Sequence, residues 1–152
     1  MNLQVGDKAP AFSAKDQNGN TVKLSDFEGE KVILYFYPKD STPTCTVQAC
    51  NIRDNHADFK KKGYTVLGVS VDTVKSHQKF SAKHDLPFPL LADPEHEMVN
   101  AYGVWQEKTT FGKTYMGTVR TTFEIDEKGV ISQIITKVES KRHADQIFSK
   151  TD

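Results

Sequence analysis

The 152 residues balance twenty basic against twenty acidic side chains, with only two cysteines; this suits a single domain (1–152) whose core needs no disulfide or metal to hold it. Neither charge sign forms a long block, and Lys60–Lys62 reads as a solvated helix end, so no footprint for nucleic acid or an anionic membrane is present. The start "MNLQVGDKAPAF" lacks the pattern of a signal peptide and no apolar run approaches a membrane span, which points to a reducing cytoplasm, where a cysteine pair serves catalysis or metal binding before stapling.

In chain order, Asn18-Gly19 between two short alternating runs predicts a hairpin over residues 12–24. "KVILYFY" (Lys31–Tyr37) is a continuous apolar run, as in a strand buried on both faces, and Pro38 ends it. Ala49, Ile52, His56 and Phe59 then recur at helical spacing, predicting one helix from about Thr44 to Lys62, with Gly63 as its stop. "YTVLGVSV" is a second buried strand, followed by a helix to about His84 capped by Asp72 or Thr73. "FPLLAD" predicts a short strand, residues 94–102 a helix, and "TTFEIDEKGVISQIIT" a second hairpin before a last helix over residues 141–150. The stretch "GVWQEKTTFGKTYMGTVR" reads as a surface excursion, and such loops often frame a site. This order of elements predicts an α/β fold: a mixed central sheet with helices on both faces.

Cys45 falls in the first turn of the helix that leaves the end of a buried strand. Unpaired amides and the positive end of the helix dipole collect there, so a thiolate is favoured over a neutral thiol. Thr42, three residues earlier, offers a hydroxyl that can donate to the sulfur or to an oxygen bound beside it. Pro38 and Pro43 stiffen the intervening loop.

Simpler readings stand beside this one. A free cysteine is commonly a small core hydrophobe, although the end of a strand is a site position in α/β folds. Zinc finds at best three ligands in Cys45, Cys50 and His56, so no metal and no cofactor is expected. His56 lies on the apolar stripe and reads as a core histidine, whereas His77, His84, His96 and His143 read as surface residues. Residues i and i+5 of a regular helix stand roughly 8.6 Å apart at Cα, beyond the limit of about 7 Å for a disulfide. Cys45 and Cys50 are therefore either two unrelated thiols or a switch.

"PKDSTPTC" fits the Pro-x-x-x-Thr-x-x-Cys motif, and with "TVQAC" after it the chain resembles the Q-type, bacterioferritin comigratory protein-like peroxiredoxins. "VGDKAPAF", "YGVWQEK" and "GKTYMGTVRTTFEID" extend the similarity over nearly the whole length. Thr44 departs from the usual glycine and Gln48 from a common glutamate. The resemblance implies a thioredoxin-like fold and reduction of hydroperoxides by thiol chemistry. Cys45 would be the peroxidatic nucleophile, passing through a sulfenic acid, and Cys50 the resolving thiol. Thioredoxin or a similar dithiol protein would reduce their disulfide. Thr42 would hydrogen-bond the reacting atoms, Arg120 would stabilise the thiolate and the departing oxygen, and Pro38 would shield the sulfur. Trp105 and Tyr115 read as core or rim packing. The subfamily's habit and the lack of an exposed apolar stripe favour a monomer. The competing expectations are a thioredoxin-like disulfide reductase, whose Cys-x-x-Cys is absent here, and a redox sensor without turnover.

Overall fold

In the computed structural model, which describes residues 2–149, the first hairpin joins β1 (Ser13–Lys15) to β2 (Thr21–Lys23). Asp16 fastens its turn by accepting from the backbone amides of Asn18 and Asn20. The buried run forms β3 (Lys31–Phe36), and its pleat divides the core in two. Val32, Leu34 and Phe36 enter one cluster, while Ile33, Tyr35 and the following Tyr37 enter the other.

β3 pairs in parallel with β4 (Tyr64–Ser70) and antiparallel with β8 (Thr121–Ile125). β5 (Leu90–Ala92) continues the parallel side and β9 (Ile131–Ile135) the antiparallel side. Among the described residues the strands make a seven-stranded sheet in the order β2-β1-β5-β4-β3-β8-β9. On one face pack α1 (Pro43–Asp54), α2 (His56–Lys61), α3 (Val74–His84) and α5 (His143–Phe148), contributing Ala49, Ile52, Phe59, Phe80 and Ile147. On the other, α4 (Glu97–Ala101) contributes Met98 and Val99. Thr73 caps α3 by accepting from the Ser76 amide, one of the two capping residues the sequence offered.

Three boundaries differ from expectation. The long helix is split at Asn55, whose side-chain amide donates to the Asn51 carbonyl at 2.8 Å, so the side chain takes the acceptor that a continuing helix would use. α4 starts later than predicted because His96 adopts a left-handed φ of 62°, and the Asp93 carboxylate accepts from the Met98 and Val99 amides instead. The last helix begins at His143 after a 3-10 turn at Ser140–Arg142; Lys150, its expected end, lies outside the described residues.

The excursion before Arg120 is regular after all. It forms a separate two-stranded ribbon of β6 (Trp105–Thr110) and β7 (Lys113–Thr118). Phe111 and Gly112 turn it, both at positive φ (52° and 76°), as a two-residue hairpin loop requires. Most of its side chains face solvent, and Phe111 is 99% exposed, so the ribbon has no buried face to imprint an alternation on the sequence.

Candidate active site

The chain leaves β3 through Tyr37 and half-buried Pro38, bends at Ser41 (φ 64°), and enters α1 with Thr42 as the extended N-cap residue. Pro43 opens the helix, where a missing N–H costs nothing. The Thr46 amide makes the first backbone bond, to the Thr42 carbonyl at 2.9 Å. Cys45 therefore sits in the first turn, as the sequence predicted, and is 2% exposed. Thr44 beside it points to solvent.

Arg120, in the link between β7 and β8, donates from Nη2 to the Cys45 sulfur at 3.1 Å. Its Nη1 donates to Oε1 of Gln48. Cys45 and Gln48 are three residues apart and share one face of α1, so a single guanidinium fork spans both. Gln48 is fully buried, and its Nε2 has no partner among the described residues. The Thr42 hydroxyl donates to the Lys39 carbonyl at 2.9 Å, so in this geometry it offers lone pairs, not its proton, toward the sulfur side.

A buried polar network holds the loop between β3 and α1. Oδ1 of Asp40 accepts from the Tyr37 hydroxyl at 2.5 Å, and Oδ2 accepts from Ser76 at 2.8 Å. Asp40 Oδ2 also lies 2.6 Å from Nδ1 of His77, whose Nε2 donates to the Leu91 carbonyl at 3.0 Å. A carbonyl only accepts, so Nε2 carries a proton. The 2.6 Å contact then requires a second proton in the pair, on Nδ1 or on Asp40. The Asp40 amide donates to Asp72, itself held by Ser70. Deleting one partner of a buried pair of this kind costs about 3–5 kcal/mol, which keeps Pro38 to Thr42 in place. Asp40, Asp72 and His77 bring ligand-type atoms within 4.8 Å of one another, each already engaged in this network.

His77 was expected on the surface and is fully buried. His143 is the second correction: it is buried between Thr122 and Gln146, and burial lowers its proton affinity. A histidine with partners at both nitrogens is satisfied inside a core, and for each of these two at least one partner lies far away in sequence, Asp40 for His77 and Thr122 for His143. His56 is only half-buried, packed near Phe88. Trp105 packs at a tilt against His96 with centroids 4.3 Å apart, and Tyr115 is 47% exposed, which matches rim packing. Tyr35 lies in the same cluster as Cys45, and burial pushes its phenol well above the ordinary value. Gly68 makes room for it, since a Cβ there would come within 2.9 Å of the Tyr35 hydroxyl.

Cys50 is half-buried on α1, with its sulfur 3.9 Å from Nδ1 of His84. Both cysteines are helical and both are free.

The AhpC/TSA family profile matches residues 5–134. The chain belongs to the AhpC/TSA family. Peroxiredoxin Bcp of Bacillus subtilis is 48% identical over 143 residues, covering 94% of this chain and 91% of its own. Peroxiredoxin Bcp of Escherichia coli is 45% identical over 147 residues, covering 97% and 94%. Among solved structures, the bacterioferritin comigratory protein of Xanthomonas campestris, studied for its alkyl peroxide reduction activity, superposes with a TM-score of 0.86 at 36% identity, covering 91% of this chain and 88% of that one. The peroxiredoxin fold here is thus the thioredoxin-like one, of the Q type that the cysteine motif resembled, and the protein is a thiol-dependent peroxidase. Among the described residues no helix is long and apolar enough to cross a membrane.

Proposed function

We propose that Cys45 is the peroxidatic thiol of a single-domain, monomeric, cytoplasmic peroxidase for hydrogen peroxide and organic hydroperoxides, with Cys50 as its resolving thiol. The observation that carries this reading is the 3.1 Å hydrogen bond from Arg120 to the Cys45 sulfur, a fixed cation aimed at a nucleophile in a water-poor site. The thiolate attacks one peroxide oxygen and becomes a sulfenic acid; the O–O bond breaks and the other oxygen leaves as alkoxide or hydroxide, taking a proton. Arg120 stabilises the sulfur and then the charge on the departing oxygen. Thr42, its own proton committed to Lys39, accepts from the peroxide O–H and so orients it. Pro38 screens the sulfur from bulk water.

Thioredoxin or a similar dithiol protein completes the cycle. With thioredoxin, its reductase and NADPH present, hydrogen peroxide or an organic hydroperoxide is expected to drive many turnovers per protein molecule. A single stoichiometric oxidation with no continued NADPH loss would favour a redox sensor.

Resolution also requires motion. Two residues five apart on a helix stand roughly 8.6 Å apart at Cα, and both cysteines lie within α1. Disulfide formation must open part of that helix, and losing a few backbone hydrogen bonds at about 1 kcal/mol each is tolerable locally. Amides of residues 42–52 are expected to exchange faster in the disulfide form than in the reduced form, despite the added covalent link. Equal protection in both states would argue that another molecule supplies the resolving thiol.

A further inference from the structure

We propose that His84 is a catalytic base for the second chemical step, taking the proton of the Cys50 thiol so that its sulfur can attack the oxidised Cys45. The inference rests on the reading of Cys50 as the resolving thiol. Its observation is separate: Nδ1 of His84 faces the Cys50 sulfur at 3.9 Å, within reach of a thiol hydrogen bond.

Cys50 lacks the help that Cys45 receives. Arg120 serves Cys45, and Cys50 lies past the middle of α1, away from the amides of its first turn. A neutral thiol is a poor nucleophile toward sulfur. Imidazole is the side chain whose charge ordinarily changes between pH 5 and 8, which suits it to exchanging this proton.

The surroundings fix the ring and its task. His84 is the last residue of α3, and Asp85 after it turns left-handed with φ 49°. The carbonyl end of a helix favours the cation that the proton transfer creates. Phe80, one turn earlier, meets the ring edge-on at a centroid distance of 5.2 Å. From α1, Arg53 donates to the His84 carbonyl at 2.8 Å and is itself paired with Asp54. Among the described residues, the titratable and charged groups that face it include Cys50 and Arg53 on α1, with Asp54 paired to Arg53 and Lys83 and Asp85 adjacent in sequence.

The two ends of α1 are held differently, and this decides which cysteine travels. The Asn51 side chain donates to the Lys141 carbonyl at 3.0 Å and accepts from the Ala144 amide at 2.8 Å. Ile52 is fully buried and Arg53 is tied to α3. Among the described residues, the first turns show no side-chain hydrogen bond to a neighbouring element apart from the Cys45 and Gln48 contacts with Arg120, and Val47 there is 38% exposed. Oxygen on the Cys45 sulfur disturbs one of those two contacts. Cys45 therefore moves toward Cys50, and Cys50 waits beside its base.

The step balances. The Cys50 S–H proton passes to Nδ1 of His84, and the thiolate attacks the Cys45 sulfur. The new S–S bond forms as the S–O bond breaks, and hydroxide leaves and takes a proton to become water. The Cys45 sulfur is reduced, the Cys50 sulfur is oxidised, and no further reductant is consumed.

The test is rapid-quench trapping with dimedone and mass spectrometry on the wild type, His84→Asn and His84→Phe across a range of pH. His84→Asn keeps a polar group near the position of Nδ1 but cannot take the proton. In both variants sulfenate formation should stay within about twofold of wild type, which also reports intact folding, while its conversion to the disulfide slows about 100-fold, in the range for loss of a general base. Raising the pH should recover the rate in His84→Asn, because solvent hydroxide then removes the thiol proton. Unchanged conversion rates and pH profiles in both variants would overturn the assignment of His84. A wild type that oxidises without forming a Cys45–Cys50 bond would remove the resolving role of Cys50, and the proposal with it; that result is read before any variant is made.

Discussion

Cys45→Ser is expected to abolish peroxide consumption and all labelling by dimedone, whereas Cys50→Ser retains one turnover and accumulates a labelled sulfenate. The substitution replaces sulfur by oxygen with little change of volume, so the 2% exposed site stays packed and the loss reports chemistry. A serine hydroxyl is not ionised near neutral pH, and Arg120 alone supplies no base to ionise it. The asymmetry between the two thiols follows from their neighbours. The guanidinium touches the Cys45 sulfur, while an imidazole faces the Cys50 sulfur. Mass spectrometry of dimedone-treated protein reads both variants. Labelling that survives in Cys45→Ser and vanishes in Cys50→Ser would reverse the assignment.

What the sequence disclosed depended on how far apart the interacting residues lie. β3 and β4 were readable because burial on both faces leaves an unbroken apolar run, and Cys45 because strand, proline, threonine and cysteine are contiguous. Arg120 is 75 residues from Cys45, and only resemblance to a family brought it forward; by charge alone it is one basic residue among twenty. Asp40 and His77 are 37 residues apart, so nothing local marked His77 as buried, and the same holds for His143 with Thr122. Gln48 was noticed as a departure from glutamate, but its place under the Arg120 fork is a property of the folded helix face. The split at Asn55 was legible in principle, since asparagine competes with the helix backbone through its side chain, but the apolar spacing from Ala49 to Phe59 runs straight across it. The β6–β7 ribbon left no trace of alternation, because it has no core to face.

Arg120→Ala is expected to slow the oxidation of Cys45 on the order of 100-fold or more, the scale for losing a donor aimed at developing charge. Ionisation alone cannot supply a fast reaction. For any thiol, lowering the pKa from about 8.5 to about 6 raises the thiolate fraction at pH 7 roughly 30-fold. A Brønsted slope of about 0.45, if it holds as in disulfide exchange, takes back roughly 13-fold through weaker nucleophilicity. A net gain of about twofold remains from these figures, so most of the rate must come from alignment and from stabilising the departing oxygen. Arg120 is built for that, with one nitrogen on the sulfur and another anchored on Gln48. Because Gln48 is a neutral amide, it orients the guanidinium without neutralising it, as a glutamate would. Arg120→Lys should recover only part of the rate, since an ammonium lacks the planar fork that reaches both groups. Removing the guanidinium also leaves the buried Gln48 amide without its remaining partner, costing about 1–3 kcal/mol. For a chain of this size that lowers Tm by a few to about ten degrees, at roughly 2–4 °C per kcal/mol. Stopped-flow oxidation measured well below the lowered Tm separates the two effects. A variant that oxidises at the wild-type rate would show that the Arg120 contacts hold α1 in place and contribute nothing to the chemistry.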